Sequence, residues 1–113
     1  MSGAGQIDSV GEEEFEELVM HSSIPVVLDF YADWCGPCRQ AETMLQALSQ
    51  EMEGKIRFAR VDVDECERIA ESFGVHSIPT LIFIDKGQER ARQVGLLAEA
   101  ELRGILSKYL NGP

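Results

Sequence analysis

Two closely spaced cysteines are the residues of this sequence best suited to chemistry. Cys35 and Cys38 are three positions apart, after an apolar run and at the head of a helical pattern. Residues three apart on a helix have Cβ atoms roughly 5–6 Å apart, whereas a disulfide needs about 3.5–4.5 Å. A small adjustment at a helix start lets the pair alternate between dithiol and disulfide, so the spacing predicts a redox switch.

Two other uses of these cysteines stay open from the residues alone. A structural zinc site needs four ligands, commonly from two paired motifs, and this chain offers a single CxxC with Cys66 and His76 as further ligands. A purely structural disulfide would close a very small loop, and the stabilisation from a disulfide falls with loop size. The redox use is favoured over both.

Length and composition describe one globular domain. The chain has 113 residues, of which 44% are hydrophobic and 27% charged, enough for one core and too few for two. We expect a single domain over 1–113, with 1–6 as a flexible N-terminus. We expect a cytoplasmic protein, because we find no signal-peptide pattern and no apolar run near the ~20 residues of a membrane span.

The net charge of −10 restricts the classes of partner. Nucleic-acid binding depends on Lys and Arg contacts to phosphate, and anionic membrane surfaces also attract cations. We therefore expect no nucleic-acid and no membrane partner. The acidic run over 12–17 is interpreted as a solvated helix face whose first turn complements the helix dipole.

Hydrophobic periodicity predicts the elements that position the cysteines. Helices are predicted over 12–21, 35–53, 65–73 and 98–110, and strands near 6–10 and over 26–31, 56–63, 80–84 and 89–94. This order contains a βαβ unit, a hairpin and a closing helix. It predicts an α/β fold with helices on both faces of a mixed sheet.

With these motifs in this order, the chain resembles the thioredoxin family over about 15–110. The matching segments are Val27-Leu28-Asp29-Phe30, Ala32-Asp33-Trp34-Cys35-Gly36-Pro37-Cys38, Val61-Asp62-Val63-Asp64, Ile78-Pro79-Thr80-Leu81, Asp85-Lys86-Gly87 and Val94-Gly95. The resemblance implies a thioredoxin fold, with a central mixed β-sheet flanked by helices on both faces. It also implies a small enzyme that reduces protein disulfides.

The resemblance implies roles for single residues. Cys35 would be the attacking cysteine, Cys38 the resolving one and Asp29 the buried acid behind them. Pro79 would follow a cis peptide bond, although sequence alone favours trans because only ~5–6% of X-Pro bonds are cis. The residues implied to form a flat apolar surface for a partner protein are Trp34, Gly36, Pro37, Ile78, Pro79 and Gly95, with Leu96 as a further candidate.

The same roles can be examined from the residues. A thiolate is the species that attacks a disulfide, and the N–H groups and dipole at a helix N-terminus favour an anion, which predicts a lowered pKa for Cys35. Cys38, one turn further in, is expected to be more buried and to need a base. Asp29 interrupts an apolar strand, where burial would raise its pKa and suit it to that role. From the residues alone, a solvated strand edge is an equally open alternative.

The remaining candidate groups receive plainer interpretations. Cys66 is interpreted as a small half-buried residue, with a regulatory thiol at a helix start as the alternative. His21 and His76 are expected to be exposed. The chain departs from a common family pattern at Tyr31, Thr43, Arg60 and Ser77.

The expected activity is dithiol–disulfide exchange through the Cys35–Cys38 pair, without a bound cofactor or metal. The resemblance implies a monomer that reduces disulfide-containing client proteins and is recharged by a separate thioredoxin reductase, dependent on flavin and NADPH. Two alternatives stay open. One is a disulfide oxidase or isomerase, and the other is a thioredoxin-fold binding subunit whose cysteines are dispensable.

Overall fold

The computed structural model describes residues 7–110, so the expectation for 1–6 lies outside the described residues. The strands are β1 (Ile7–Ser9), β2 (Val26–Tyr31), β3 (Arg57–Asp62), β4 (Thr80–Asp85) and β5 (Gln88–Val94). The helices are a short π-helix over Glu16–Met20, α1 (Gly36–Glu51), α2 (Glu67–Ser72) and α3 (Glu99–Leu110). No helix in this described range has the length and apolar character needed to cross a membrane.

The five strands form one mixed sheet in the order β1-β3-β2-β4-β5. Strands β1 and β2 both run parallel to β3, whereas β4 is antiparallel to β2 and to β5. The sheet therefore combines the predicted βαβ unit with the predicted hairpin. Its central strand is β2, which leads directly towards the cysteines.

Alternate residues of β2 enter two different hydrophobic cores. Val26, Leu28 and Phe30 pack on one face of the sheet with the π-helix and α2. Val27 packs on the other face with leucines of α1 and α3. Because side chains alternate along a strand, this mainly apolar strand contributes to a core on each face of the sheet. Helices cover both faces, which confirms the predicted α/β arrangement.

The prediction of an amphipathic helix over 12–21 is wrong in length and type. Residues 12–14 form a turn, in which a Glu14 carboxylate oxygen accepts a hydrogen bond of 2.8 Å from the backbone N–H of Gly11. The backbone N–H of His21 then donates to the carbonyl of Glu16, five residues earlier, at 2.9 Å. The segment consequently closes as a π-turn.

The other predicted helices are confirmed with shorter bounds. Helix α2 begins two residues later than predicted because the Asp62 carbonyl accepts backbone hydrogen bonds from Glu65 and Cys66, at 3.2 and 2.8 Å, which close a turn first. The helix ends at Ser72, and Gly74, two residues later, has a φ of 65°, the left-handed conformation that commonly follows a helix C-terminus. Helix α1 begins after Cys35 and stops at Glu51.

Candidate active site

The paired cysteines lie at the junction between β2 and α1. Cys35 is the N-cap residue of α1 with an extended backbone, and Pro37 follows in the first turn, where its missing N–H breaks no helical bond. Cys35 and Cys38 form a disulfide with a Cα–Cα distance of 5.3 Å. The Sγ of Cys35 accepts a hydrogen bond of 3.2 Å from the backbone N–H of Cys38. A helix N–H group is therefore already directed at the sulfur that would carry the negative charge.

The surroundings of the disulfide are more enclosed than the sequence suggests. Trp34, Gly36 and Pro37 are exposed, but Cys35 itself is only 5% exposed and Cys38 2%. Cys38 is the more buried of the two, as predicted, but Cys35 is also almost fully enclosed. The cause is local packing, because the two cysteines cluster with Ala32 against the side chains of Tyr31, Val63 and Ile78.

Asp29 is fully enclosed in the centre of the sheet. It is 1% exposed, and neither carboxylate oxygen has a hydrogen-bond partner in the described part of the chain. Burial raises the pKa of Asp29 to about 7, against a lowering by Arg60 and with a further rise from Glu42. The alternative of a solvated strand edge is wrong, since β2 is paired on both sides by β3 and β4.

A small cavity of about 100 Å³ lies beside Cys38. Arg60 closes part of it, with its guanidinium carbon 3.6 Å from the centre of the Tyr31 ring and its Nη1 2.9 Å from a Glu42 oxygen. Two departures from the family pattern, Tyr31 and Arg60, thus meet at one place. Glu42 lines the same cavity and pairs with Arg60. Nothing in the sequence indicated this role beyond the position of Glu42 one helical turn after Cys38.

A second segment approaches the disulfide from the start of β4. The Ile78–Pro79 peptide bond is cis, as the resemblance implies, and Ile78 packs against the cysteine cluster. The Pro79 carbonyl accepts a hydrogen bond of 2.8 Å from the backbone N–H of Gly95. Gly95 has a φ of 93°, a conformation that favours glycine. Ile78 thereby reaches the cysteine cluster, while Pro79 is buried beside it and Gly95 is hydrogen-bonded to Pro79.

An exposed apolar surface surrounds this region. Its large side chains are Trp34, Val94 and Leu96, with exposed fractions of 70%, 55% and 47%. The indole Nε1 of Trp34 donates a hydrogen bond of 2.8 Å to Asp64, which orients the ring. Val94 and Asp64 were missed as site residues. The available signal for Val94 was an apolar residue ending the polar strand β5.

The other candidate residues are not part of this site. Cys66 is 6% exposed, and burial, with acidic neighbours, raises the pKa of its thiol. This shift is opposite in direction to the one that would activate a regulatory thiol at a helix start. His21 and His76 are exposed, as expected. Within 7–110, no three or more His, Cys, Asp and Glu side chains are grouped to hold a metal ion.

Comparisons with known proteins give a consistent family. The thioredoxin family model matches residues 6–108. Thioredoxin from Haemophilus influenzae is 39% identical over 101 residues, covering 89% of this chain and 94% of that protein. Thioredoxin 1 from Nostoc sp. is 37% identical over 110 residues, covering 97% and 100%. The structure of a mutant thioredoxin from Halobacterium salinarum NRC-1 superposes with a TM-score of 0.86 at 31% identity, covering 97% of this chain and 96% of that one.

The family and the cysteine pair together establish the type of chemistry. The protein is a small redox enzyme that reduces protein disulfides by dithiol–disulfide exchange through its Cys-Gly-Pro-Cys motif. Proteins of this kind work with a reductase and with disulfide-containing clients. On the evidence of the family model, the relatives and the fold, this chain belongs to the thioredoxin family.

Proposed function

We propose that Cys35 attacks client disulfides, that Cys38 resolves the resulting mixed disulfide and that Asp29 accepts the proton of Cys38. The observation that carries the proposal is the position of Cys35 at the N-cap of α1, with its Sγ 3.2 Å from the Cys38 N–H. A thiolate at this position is stabilised by the helix N-terminus. Cys38 lies deeper and depends on an internal proton acceptor.

The reaction balances as two exchanges. The Cys35 thiolate attacks one client sulfur, a mixed disulfide forms, the client S–S bond breaks, and the other client sulfur leaves as a thiolate. The Cys38 thiolate then attacks Cys35 Sγ, the Cys35–Cys38 bond forms, and the second client sulfur leaves. Two electrons pass to the client, each client thiolate takes up a proton according to its pKa, and the protein is oxidised to the disulfide.

Asp29 suits the role of proton acceptor because of its burial. An unpaired carboxylate whose pKa is about 7 can take up a proton near neutral pH and return it. It lies on the face of the sheet that α1 covers, since it follows Val27 at the strand period. Its charged neighbours Arg60 and Glu42 also line the cavity beside Cys38.

We further propose that clients dock on the apolar surface around the disulfide. The residues proposed to contact them are Trp34, Gly36, Pro37, Ile78, Pro79 and Gly95, extended by Val94 and Leu96. We propose that the protein acts as a monomer. The two cores share one sheet, which supports a single domain over 1–113.

We propose that a flavin- and NADPH-dependent thioredoxin reductase recharges the protein with two electrons. A reductant of this kind works where thiols are kept reduced, so we place it in the cytoplasm. A measured reduction potential near the roughly −270 mV typical of thioredoxins would support the reductase assignment. A value of about −120 to −180 mV would instead indicate an oxidase or isomerase.

The first test is a pair of cysteine variants, each reduced beforehand and freed of reductant, incubated with a cell extract whose proteins still carry their disulfides. Cys38→Ser should accumulate covalent adducts with client proteins, released by a small thiol, because no internal thiol resolves the mixed disulfide. Cys35→Ser, the matched control, should form none and lose disulfide reduction. Full cellular activity of the double variant would favour a binding subunit with dispensable cysteines.

The second test concerns Asp29. Asp29→Asn should slow the resolution step, since loss of a general base costs typically ~10²–10⁴-fold on the step it serves. Single-turnover reduction of a protein disulfide, followed across neutral pH, measures that step. Rates equal to those of the wild-type protein at every pH would exclude Asp29 as the base.

A further inference from the structure

Two groups of opposite charge lie on the same face of the sheet without a hydrogen bond between them. Asp29 and Arg60 are directly paired residues of the neighbouring strands β2 and β3, so both side chains point to the face covered by α1. Both Asp29 carboxylate oxygens and the Arg60 Nε are buried, and in the described structure none of the three has a hydrogen-bond partner. A buried guanidinium and a carboxylate so placed would gain from a charge-assisted bond.

The Arg60 guanidinium is held elsewhere by two contacts. Its Nη1 bonds to Glu42 at 2.9 Å, and its carbon lies 3.6 Å from the centre of the Tyr31 ring. Glu42 is anchored on α1, one turn after Cys38, and lines the same cavity of about 100 Å³. The side chain of Arg60 is 17% exposed and that of Glu42 45%, so the pair closes the cavity on its solvent side.

We propose that Glu42 is a positioning residue of the proton transfer beneath the disulfide, because its ion pair holds Arg60 against Tyr31 and so keeps the guanidinium from pairing with Asp29. The proposal rests on the proposed role of Asp29 as the base. Glu42 touches no reacting atom and acts through Arg60.

The electrostatics of the cluster agree in sign with this role. The charged groups that face Asp29 are Arg60 from β3 and Glu42 from α1, while β4 places Leu81 opposite it and α3 contributes leucines to that face. Arg60 lowers the pKa of Asp29, and Glu42 raises it. Removal of Glu42 would free the guanidinium and delete a negative charge, and both changes favour ionised Asp29, a weaker base.

The experiment is a titration of the Asp29 carboxyl carbon by NMR in the oxidised protein. In Glu42→Ala the midpoint should fall by about one pH unit or more, because an opposite charge within roughly 4–6 Å lowers a carboxyl pKa by about 1–3 units. Glu42→Gln, which keeps an acceptor for Arg60, should give a smaller fall. The lower limb of the pH profile for mixed-disulfide resolution should move in the same direction.

One mutant background and one control variant separate a positioning role of Glu42 from a general effect of its charge. In an Arg60→Met background, Glu42→Ala should have much less effect, since the coupling passes through Arg60. Glu51→Ala, which removes a carboxylate of the same helix paired with Arg103, should leave the Asp29 midpoint unchanged. An unchanged midpoint in Glu42→Ala, an equal fall without Arg60, or an equal fall in Glu51→Ala would each overturn the proposal.

The titration also separates this inference from the proposed function. The carboxyl carbon of Asp29 reports its ionisation whether or not the residue serves Cys38. If Asp29→Asn resolves mixed disulfides at the wild-type rate, Asp29 is not the base. Glu42 would then have no role in the proton transfer, even if it shifts the pKa of Asp29. If instead Asp29→Asn resolves mixed disulfides slowly but the Asp29 titration midpoint is the same in Glu42→Ala as in the wild-type protein, only the positioning role of Glu42 fails.

Discussion

Asp29 shows how strongly the chemistry of one residue depends on what covers it. A carboxyl group in water is ionised at neutral pH, but here two neighbouring strands and the overlying helices exclude water from it. Burial then raises the pKa of Asp29 to about 7. The group is therefore neutral or charged according to small changes in its surroundings, which is what a proton acceptor for Cys38 requires.

The same burial predicts a dependence of stability on pH. The pKa of Asp29 is about 7 in the folded state and 3.8 in the unfolded state. Between these two pH values the folded state binds more protons than the unfolded state. The unfolding free energy of the oxidised protein therefore falls as the pH rises from 3.8 to about 7. Asp29→Asn removes this loss. Its stability relative to wild type should increase by about 4 kcal/mol from about pH 4 to about pH 8, at about 1.4 kcal/mol per unit. Urea unfolding across this range measures the difference, and a constant difference would contradict the burial argument.

Sequence reasoning succeeded where a residue carries its own signal. The spacing of Cys35 and Cys38 predicted their pairing, and a carboxylate within an apolar strand pointed to Asp29. Glu42 and Asp64 carry no such signal, because each matters through a contact with a residue 18 or 30 positions away. Such contacts follow from how α1 and the loop after β3 pack, which a single sequence does not specify.

Elements were predictable to the extent that periodicity alone determines them. Strand β2 has the predicted bounds because its residues are apolar except for Asp29 and it lies between Pro25 and the turn after Ala32. The segment over 12–21 has helical periodicity as well, yet the hydrogen bond from Gly11 to Glu14 and the five-residue closure at His21 override it. Local side-chain and backbone hydrogen bonds of this kind compete with the α-helix that the periodicity favours.

The β4–β5 hairpin depends on one glycine. Lys86 and Gly87 have φ values of 54° and 75°, as a two-residue turn of type I′ requires. A Cβ on Gly87 would also lie 3.0 Å from the backbone carbonyl oxygen of Met20. The turn therefore fits against the end of the π-helix only when residue 87 has no side chain.

Gly87→Ala should therefore destabilise the protein by about 1–2 kcal/mol or more, the cost of a left-handed residue with a Cβ together with the close contact. Gly104→Ala is the matched control, because Gly104 lies in α3 with no atom within 4 Å of a Cβ built there. It should stabilise by roughly 0.5–1 kcal/mol. Denaturant midpoints at constant slope measure both, and equal effects would contradict the turn assignment.

The molecule as a whole is strongly acidic, but its surface also carries exposed apolar side chains. The net charge is −10, yet Trp34, Val94 and Leu96 are exposed around the disulfide. Contiguous exposed apolar side chains commonly mark sites of protein contact. The charge elsewhere favours solubility and disfavours acidic partners, and the apolar side chains around the disulfide support the proposal that clients dock there.

Val94→Asp tests whether this patch selects protein clients. In the Cys38→Ser background it should reduce covalent capture of client proteins several-fold or more, because burying an unpaired polar group costs about 1–3 kcal/mol and burying a carboxylate costs more. Reaction with a small aliphatic disulfide should be little changed, since such a molecule needs no extended surface. Gln50→Asp, an equal change of charge on an exposed residue at the far end of α1, is the control and should capture clients normally. Loss of capture in both variants would attribute the effect to net charge, and loss in neither would mean that clients reach Cys35 without touching the end of β5.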